Sequence, residues 1–190
     1  MKGMYNKLPH SVSLNGEKFI INTDYRIFID FENDMQEIDQ FKAINKVLNR
    51  FYPAFSLIVN KNLLEEAIDK FIWFYQCGKE KVKTTTKYSK SKNERVYDYS
   101  YDDLYIWGAF KMYFHIDLSQ INLHWWKFKA MYLSIPQEAE YSKIKGYRAY
   151  TGKDKNILEL KEHYKLPKTG KEKIDELRRD KIYERLKEGG

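Results

Sequence analysis

Four histidines, one cysteine and a knot of carboxylates are the residues of this 190-residue chain best suited to bond chemistry. Their spacing is wrong for it. His10 precedes a turn signal, His115 falls at a helix junction, His124 adjoins a Trp pair, and His163 lies in the C-terminal region. None has a metal-ligating partner at i+3 or i+4, the spacing that sets two ligands on one helix face. Cys77 has no second thiol to pair with, which excludes an internal disulfide and fits a reducing cytoplasm. It precedes Gly78 at an expected helix C-terminus, where the dipole raises a thiol pKa, so it reads as a small buried hydrophobe. Asp98, Asp102 and Asp103 cluster where a helix should begin, and acids favour that end of the dipole. Glycine-rich phosphate loops are absent. The expectation is a protein with no catalytic residue, no metal and no cofactor.

What the chain has instead is aromatic surface. The run Leu123-His124-Trp125-Trp126-Lys127-Phe128 is the most distinctive segment. Wound at 100° per residue, 118–135 gives two apolar stripes. One is Leu118, Ile121, Trp125, Phe128 and Tyr132; the other is Leu123, Trp126, Ala130 and Leu133. A helix apolar on two sides is either central to a core or faces a core and a partner. Trp73 is the aromatic that packing does not explain, because it falls among Glu66, Asp69 and Lys70 on its helix. Cover by the hairpin or the basic loop is the commoner outcome for such a residue; left exposed on a charged face, it is what an interaction hot spot looks like.

These residues need elements to position them. Asn15-Gly16 between two alternating runs predicts a two-residue hairpin, with Val12 opposite Phe19 and Leu14 opposite Glu17. Thr23 and Asp24 read as caps for a helix bearing Ile27, Phe28, Phe31 and Met35. A second helix carries Ile38, Phe41, Ile44, Leu48 and Phe51 and stops at Pro53. A third runs from about Asn62 to Cys77, burying Leu64, Ala67, Ile68, Phe71 and Tyr75, with Gly78 as its stop. A fourth starts near Ser100 or Asp102 with Leu104, Trp107, Phe110 and Phe114 on one side. The two-stripe helix follows, then a weaker one over Glu138–Tyr147 and another over Asp154–Tyr164. The fold class is therefore mainly α with a small N-terminal β-hairpin (α+β). Residues 1–150 form the hairpin and helical core, and 151–190 a charged helical tail.

The charge is local. Seven basic residues between Lys79 and Arg95, against Glu80 and Glu94, supply +5 of the net +7. The stretch 79–96 reads as a mobile basic loop, since it has too little apolar surface to repay its ordering. Nucleic-acid binding through it would be loose and salt-sensitive, with no sequence-specific contact. No apolar run approaches the ~20 residues of a membrane span, and the first residues open no signal peptide.

Ordered along the chain, several motifs resemble the bacteriophage gene-product-fifteen family of long-tailed phages and prophages of Gram-positive bacteria. They are Leu8-Pro9, Ile21-Asn22-Thr23-Asp24-Tyr25-Arg26, the run from Phe71 to Lys79, Tyr97-Asp98-Tyr99, Tyr105-Ile106-Trp107-Gly108-Ala109-Phe110, Ile116-Asp117-Leu118, the Trp-Trp segment itself, and Tyr164-Lys165-Leu166-Pro167. The chain departs from that pattern at Trp107 and Gly108, where small or aliphatic residues are more usual. Gly in mid-helix costs about 1 kcal/mol relative to Ala, so the helix bends there or lets another backbone come close.

The resemblance implies a tail assembly chaperone, because in related phages the gene lies just ahead of the tape-measure gene. Its partner would then be the tape-measure protein, bound in the host cytoplasm before the tail tube polymerises and absent from the mature virion. Trp73, Leu123, His124, Trp125, Trp126 and Lys127 are the candidate partner-binding residues, with self-association through the two-stripe helix as a further use. A structural tail or connector component of the virion is the alternative, and a nucleic-acid-binding accessory protein a more distant one.

Overall fold

The computed structural model describes residues 8–37, 39–79 and 95–178. The expected loop at 79–96 and the last part of the tail fall mostly outside them. Strands β1 (Ser11–Leu14) and β2 (Glu17–Ile20) pair antiparallel in the expected register, Val12 with Phe19 and Leu14 with Glu17. Asn15 and Gly16 both take positive φ, as the tight turn requires. Val12, Leu14, Phe19 and Ile21 are buried beneath the hairpin.

Helix α1 (Tyr25–Asp34) is capped by Asp24, whose carboxylate accepts from the Arg26 N–H. Helix α2 (Gln40–Phe51) ends before Pro53, as expected. A short helix that the sequence reading missed, α3 (Phe55–Asn60), sets Ile58 into the core. Helix α4 (Leu64–Tyr75) buries Ala67, Phe71 and Phe74, while Leu64, expected inside, is exposed. Helices α5 (Asp103–Phe114), α6 (Trp125–Leu133), α7 (Glu140–Ala149) and α8 (Lys155–His163) follow, with further helix over 170–178.

Two expectations need correction. The helix expected over 118–135 is helical only from Trp125. Asp117 accepts from the Ser119 backbone N–H and hydroxyl, which turns the chain before it can wind. Residues 118–120 form a turn and 121–123 stay outside any helix, and Arg26 donates to the carbonyls of Leu118 and Ile121 and to the Asn122 side chain. Tyr25 N–H then donates to the Leu123 carbonyl, and Trp125 N–H to that of Thr23. The starts of α1 and α6 thus lie side by side.

The second correction concerns α5. Of the expected row, Phe110 is buried and Phe114 partly so, but Leu104 and Trp107 are exposed, and Ile106 and Ala109 face the core in their place. The helix is apolar on both sides, so periodicity could not choose, and tertiary bonds do. Buried Asp102, just before α5, accepts two hydrogen bonds from buried Arg148 near the end of α7, at 2.7 and 2.8 Å. Trp107 donates outward to Asp117 at 3.0 Å.

The core is a continuous set of rings. Phe28 stacks on Trp125 at 4.9 Å, Trp125 on Tyr75 at 5.7 Å, and Tyr25 on Phe128 at 4.7 Å. Phe128 also stacks on Phe110 at 5.1 Å, which joins α5 to the pile. The 151–178 part of the tail is fastened by two of its carbonyls and one side chain: Arg148 donates to the Tyr164 carbonyl, Arg95 to that of Pro167, and the Lys171 ammonium of the tail to the Met35 carbonyl. None of the α8 residues is fully buried.

Candidate interaction surfaces

The Trp-Trp pair has a positional reason. A helix ends with carbonyls that have no partner in the next turn. At the end of α4 the Trp125 indole N–H donates to the Tyr75 carbonyl at 2.9 Å, and the Trp126 indole to that of Phe74 at 2.8 Å. Two adjacent indoles thus cap two adjacent carbonyls. Cys77 and Gly78 take positive φ just beyond, and a Cβ on Gly78 would lie 2.9 Å from the Trp126 ring. Gly78 therefore satisfies both a left-handed backbone and a close approach.

His124 starts α6. Its Nδ1 accepts the Trp126 N–H at 3.1 Å, so the other ring nitrogen, Nε2, carries the proton and donates to the Pro9 carbonyl at 3.1 Å. Burial holds its pKa below the usual histidine value, and nearby His10 and Lys127 push the same way. Leu123, His124 and Trp125 are thus buried in the fold, Trp126 is partly covered, and Lys127 is exposed.

Trp73 keeps 36% of its surface exposed, packs edge-on to Trp126 at 5.6 Å, and walls a groove of about 420 Å³ with Ser11, Ser13, Asp69 and Lys70. Of the sequence candidates, the structure brings Trp73 and Trp126 together and leaves Trp73 the more accessible.

A larger groove, about 680 Å³, runs between α1 and α5. Ile29, Ile106, Tyr99 and Leu118 are among its apolar lining residues, and Arg26, Asp30, Arg50 and Asp103 its charged ones, with Leu104 and Trp107 along α5. The Asp117 carboxylate below Trp107 sits well under the usual carboxylate range, held there by bonds from Ser119, Trp107 and Lys111. Sequence reasoning placed Leu104 and Trp107 in the core and so missed this groove.

Burial pushes the Cys77 thiol upward, away from a nucleophile's range. Among the described residues no three His, Cys, Asp or Glu side chains converge as a metal would need. Glu32 accepts from Tyr75 and Tyr97, at 2.7 and 3.0 Å, with Lys129 at 3.6 Å, a polar knot inside the fold. No described helix is long and apolar enough to cross a membrane.

The family model described as Bacteriophage Gp15 protein matches residues 4–171, and the chain belongs to that family. No curated protein and no solved structure matches it.

Proposed function

We propose that this phage protein is a tail assembly chaperone that binds the tape-measure protein before the tail tube forms. The observation that carries the reading furthest is the α1–α5 groove, where Ile29, Tyr99, Ile106 and Leu118 lie beside Leu104 and the 41% exposed Trp107, with Arg26, Asp30, Arg50 and Asp103 among them. A tape-measure chain is long, helical and rich in apolar residues, so it needs cover until its tube exists. Laying one apolar helix face into such a groove is a recurrent mode of recognition. Trp73 and its smaller groove are a second contact. Weak contacts repeated along one client give avidity without tight binding at any single site. The chaperone acts without catalysis, nucleotide or metal, in the host cytoplasm, and leaves before the virion is complete.

Co-expression with the phage's tape-measure protein tests this. Wild-type chain should be recovered with the client in several copies. Trp107→Ala and Trp73→Ala should each weaken recovery by about 2 kcal/mol, the scale of an interface hot spot. Equal recovery with both variants would remove these two sites. No recovery with wild type would favour a structural tail component.

A further inference from the structure

Strand β1 has two edges, and β2 covers one. The Ile21 N–H donates to the His10 carbonyl at 3.1 Å, and bonded pairs alternate with unbonded ones along an antiparallel ladder. With Val12 opposite Phe19 and Leu14 opposite Glu17, His10, Val12 and Leu14 therefore turn their backbone groups toward β2. Ser11 and Ser13 turn theirs the other way. Among the described residues no N–H or carbonyl of another element meets the backbone of either serine.

Proteins guard a free strand edge with charge, proline or a bulge. The β2 edge is guarded: Lys18 is exposed on it, and Glu17 is paired with Lys61 at 2.6 Å. Ser11-Val12-Ser13 carries none of these devices. Helix α4 runs beside it instead. Glu66 accepts from the Asn15 N–H at 2.7 Å at one end, and Trp73, about 10 Å further along the helix, stands toward the other. Between strand and helix lies the groove of about 420 Å³, lined by Ser11, Val12, Ser13, Asp69, Lys70 and Trp73.

We propose that this edge takes an extended segment of a partner protein as a third strand, antiparallel to β1, the stronger of the two pairings. A helix cannot serve, because its backbone groups bond within itself. An extended chain can exchange N–H and carbonyl with both Ser11 and Ser13. Side chains directly opposite one another share a face. Val12 points inward and is buried, so the partner residue opposite it enters the groove against Trp73, where an apolar side chain fits. Asp69 and Lys70, with no ion pair among the described residues, offer its flanking residues one counter-charge of each sign. A second copy of the chain fits less well. Its own β1 lies in the same groove beside α4, and its free β2 edge brings Glu17 and Lys18. The choice of partner, an extended stretch of the client, rests on the proposed function; the strand geometry does not.

The test is an NMR titration of the full chain with the blocked peptide Lys-Ser-Thr-Phe-Thr-Ser-Glu, read at the Ser11 and Ser13 amides. A Kd at or below ~1 mM is expected, the weak end of specific binding, and hydrogen exchange at both amides should slow on saturation. Methylating the two Thr nitrogens should weaken binding at least ~10-fold, since two hydrogen bonds are lost. Replacing Phe by Ala should weaken it too. Ser13→Pro removes an outward donor and no β1–β2 bond, an allowed place for proline on an edge strand. That variant should keep its near-UV circular dichroism and lose the peptide. No binding by wild type at ~5 mM, far above the expected Kd, would overturn the proposal. So would equal binding of the methylated peptide, a result that does not depend on how Ser13→Pro folds. A dimer of the chain alone that Ser13→Pro abolishes would give the edge to a second copy, and the partner strand would fall. Peptide binding without client recovery would remove the tape-measure reading and leave the strand site. Client recovery with Ser11 and Ser13 amides still exchanging fast would do the reverse.

Discussion

Adjacent tryptophans in one helix would ordinarily be read as bulk. Here each indole N–H has its own acceptor, and the two acceptors are the last carbonyls of α4. Trp125→Phe keeps most of the ring surface but leaves the buried Tyr75 carbonyl without that donor, so stability should fall by about 1–3 kcal/mol in a denaturant titration. Trp125→Ala should cost about 3–5 kcal/mol, as for other buried aromatics. A Phe variant as stable as wild type would show that the indole bond contributes nothing. His124 makes a pH-dependent prediction. Its folded pKa lies below the ordinary value near ~6.5, so protonation favours the unfolded chain. The stability it contributes is present above that value and is lost as pH falls through it, because a proton on Nδ1 would remove the acceptor for Trp126 N–H. His124→Asn, still a good N-cap, should show a smaller loss between pH ~7 and ~5. An unchanged profile would assign that loss to other groups.

Among the elements, α5 and α6 show where patterning is informative and where it is not. The hairpin register was legible because Asn-Gly demands one turn geometry and alternation fixes the faces. The cap at Asp24 was legible because a short acceptor before an apolar run has one natural use. The inward side of α5 was not legible, since both of its sides are apolar and the choice is made by Asp102 and Arg148, 46 residues apart. The same holds for 118–124, whose non-helical path is held by Arg26 from a distant element. The charged neighbours of Trp73 marked it as off the core stripe but left cover and exposure both open, and the α1–α5 groove needed α1 and α5 in place. The α5–α7 link can be tested directly. Arg148→Met leaves the Asp102 carboxylate buried without its counter-ion and should cost about 3–5 kcal/mol, or about 10 °C in thermal midpoint for a chain of this size. Asp102→Asn together with Arg148→Met should recover part of the loss, because no uncompensated charge remains. A single variant within a degree of wild type would mean the pair does not hold α5 against α7.

At the scale of the whole molecule, the described residues close an aromatic core and leave the outward side of α5, with Leu104 and Trp107, and the Trp73 groove exposed. That distribution suits a protein whose task is to hold another chain. The most direct measurement is the fate of the tape-measure protein and of this chain in one phage infection. With this gene deleted, the chaperone account predicts insoluble tape-measure protein, no complete tails, and rescue by the chain supplied in trans. Purified wild-type virions should contain none of it by quantitative mass spectrometry. Virions carrying the chain in fixed copy number, with tape-measure protein still soluble in its absence, would contradict the account.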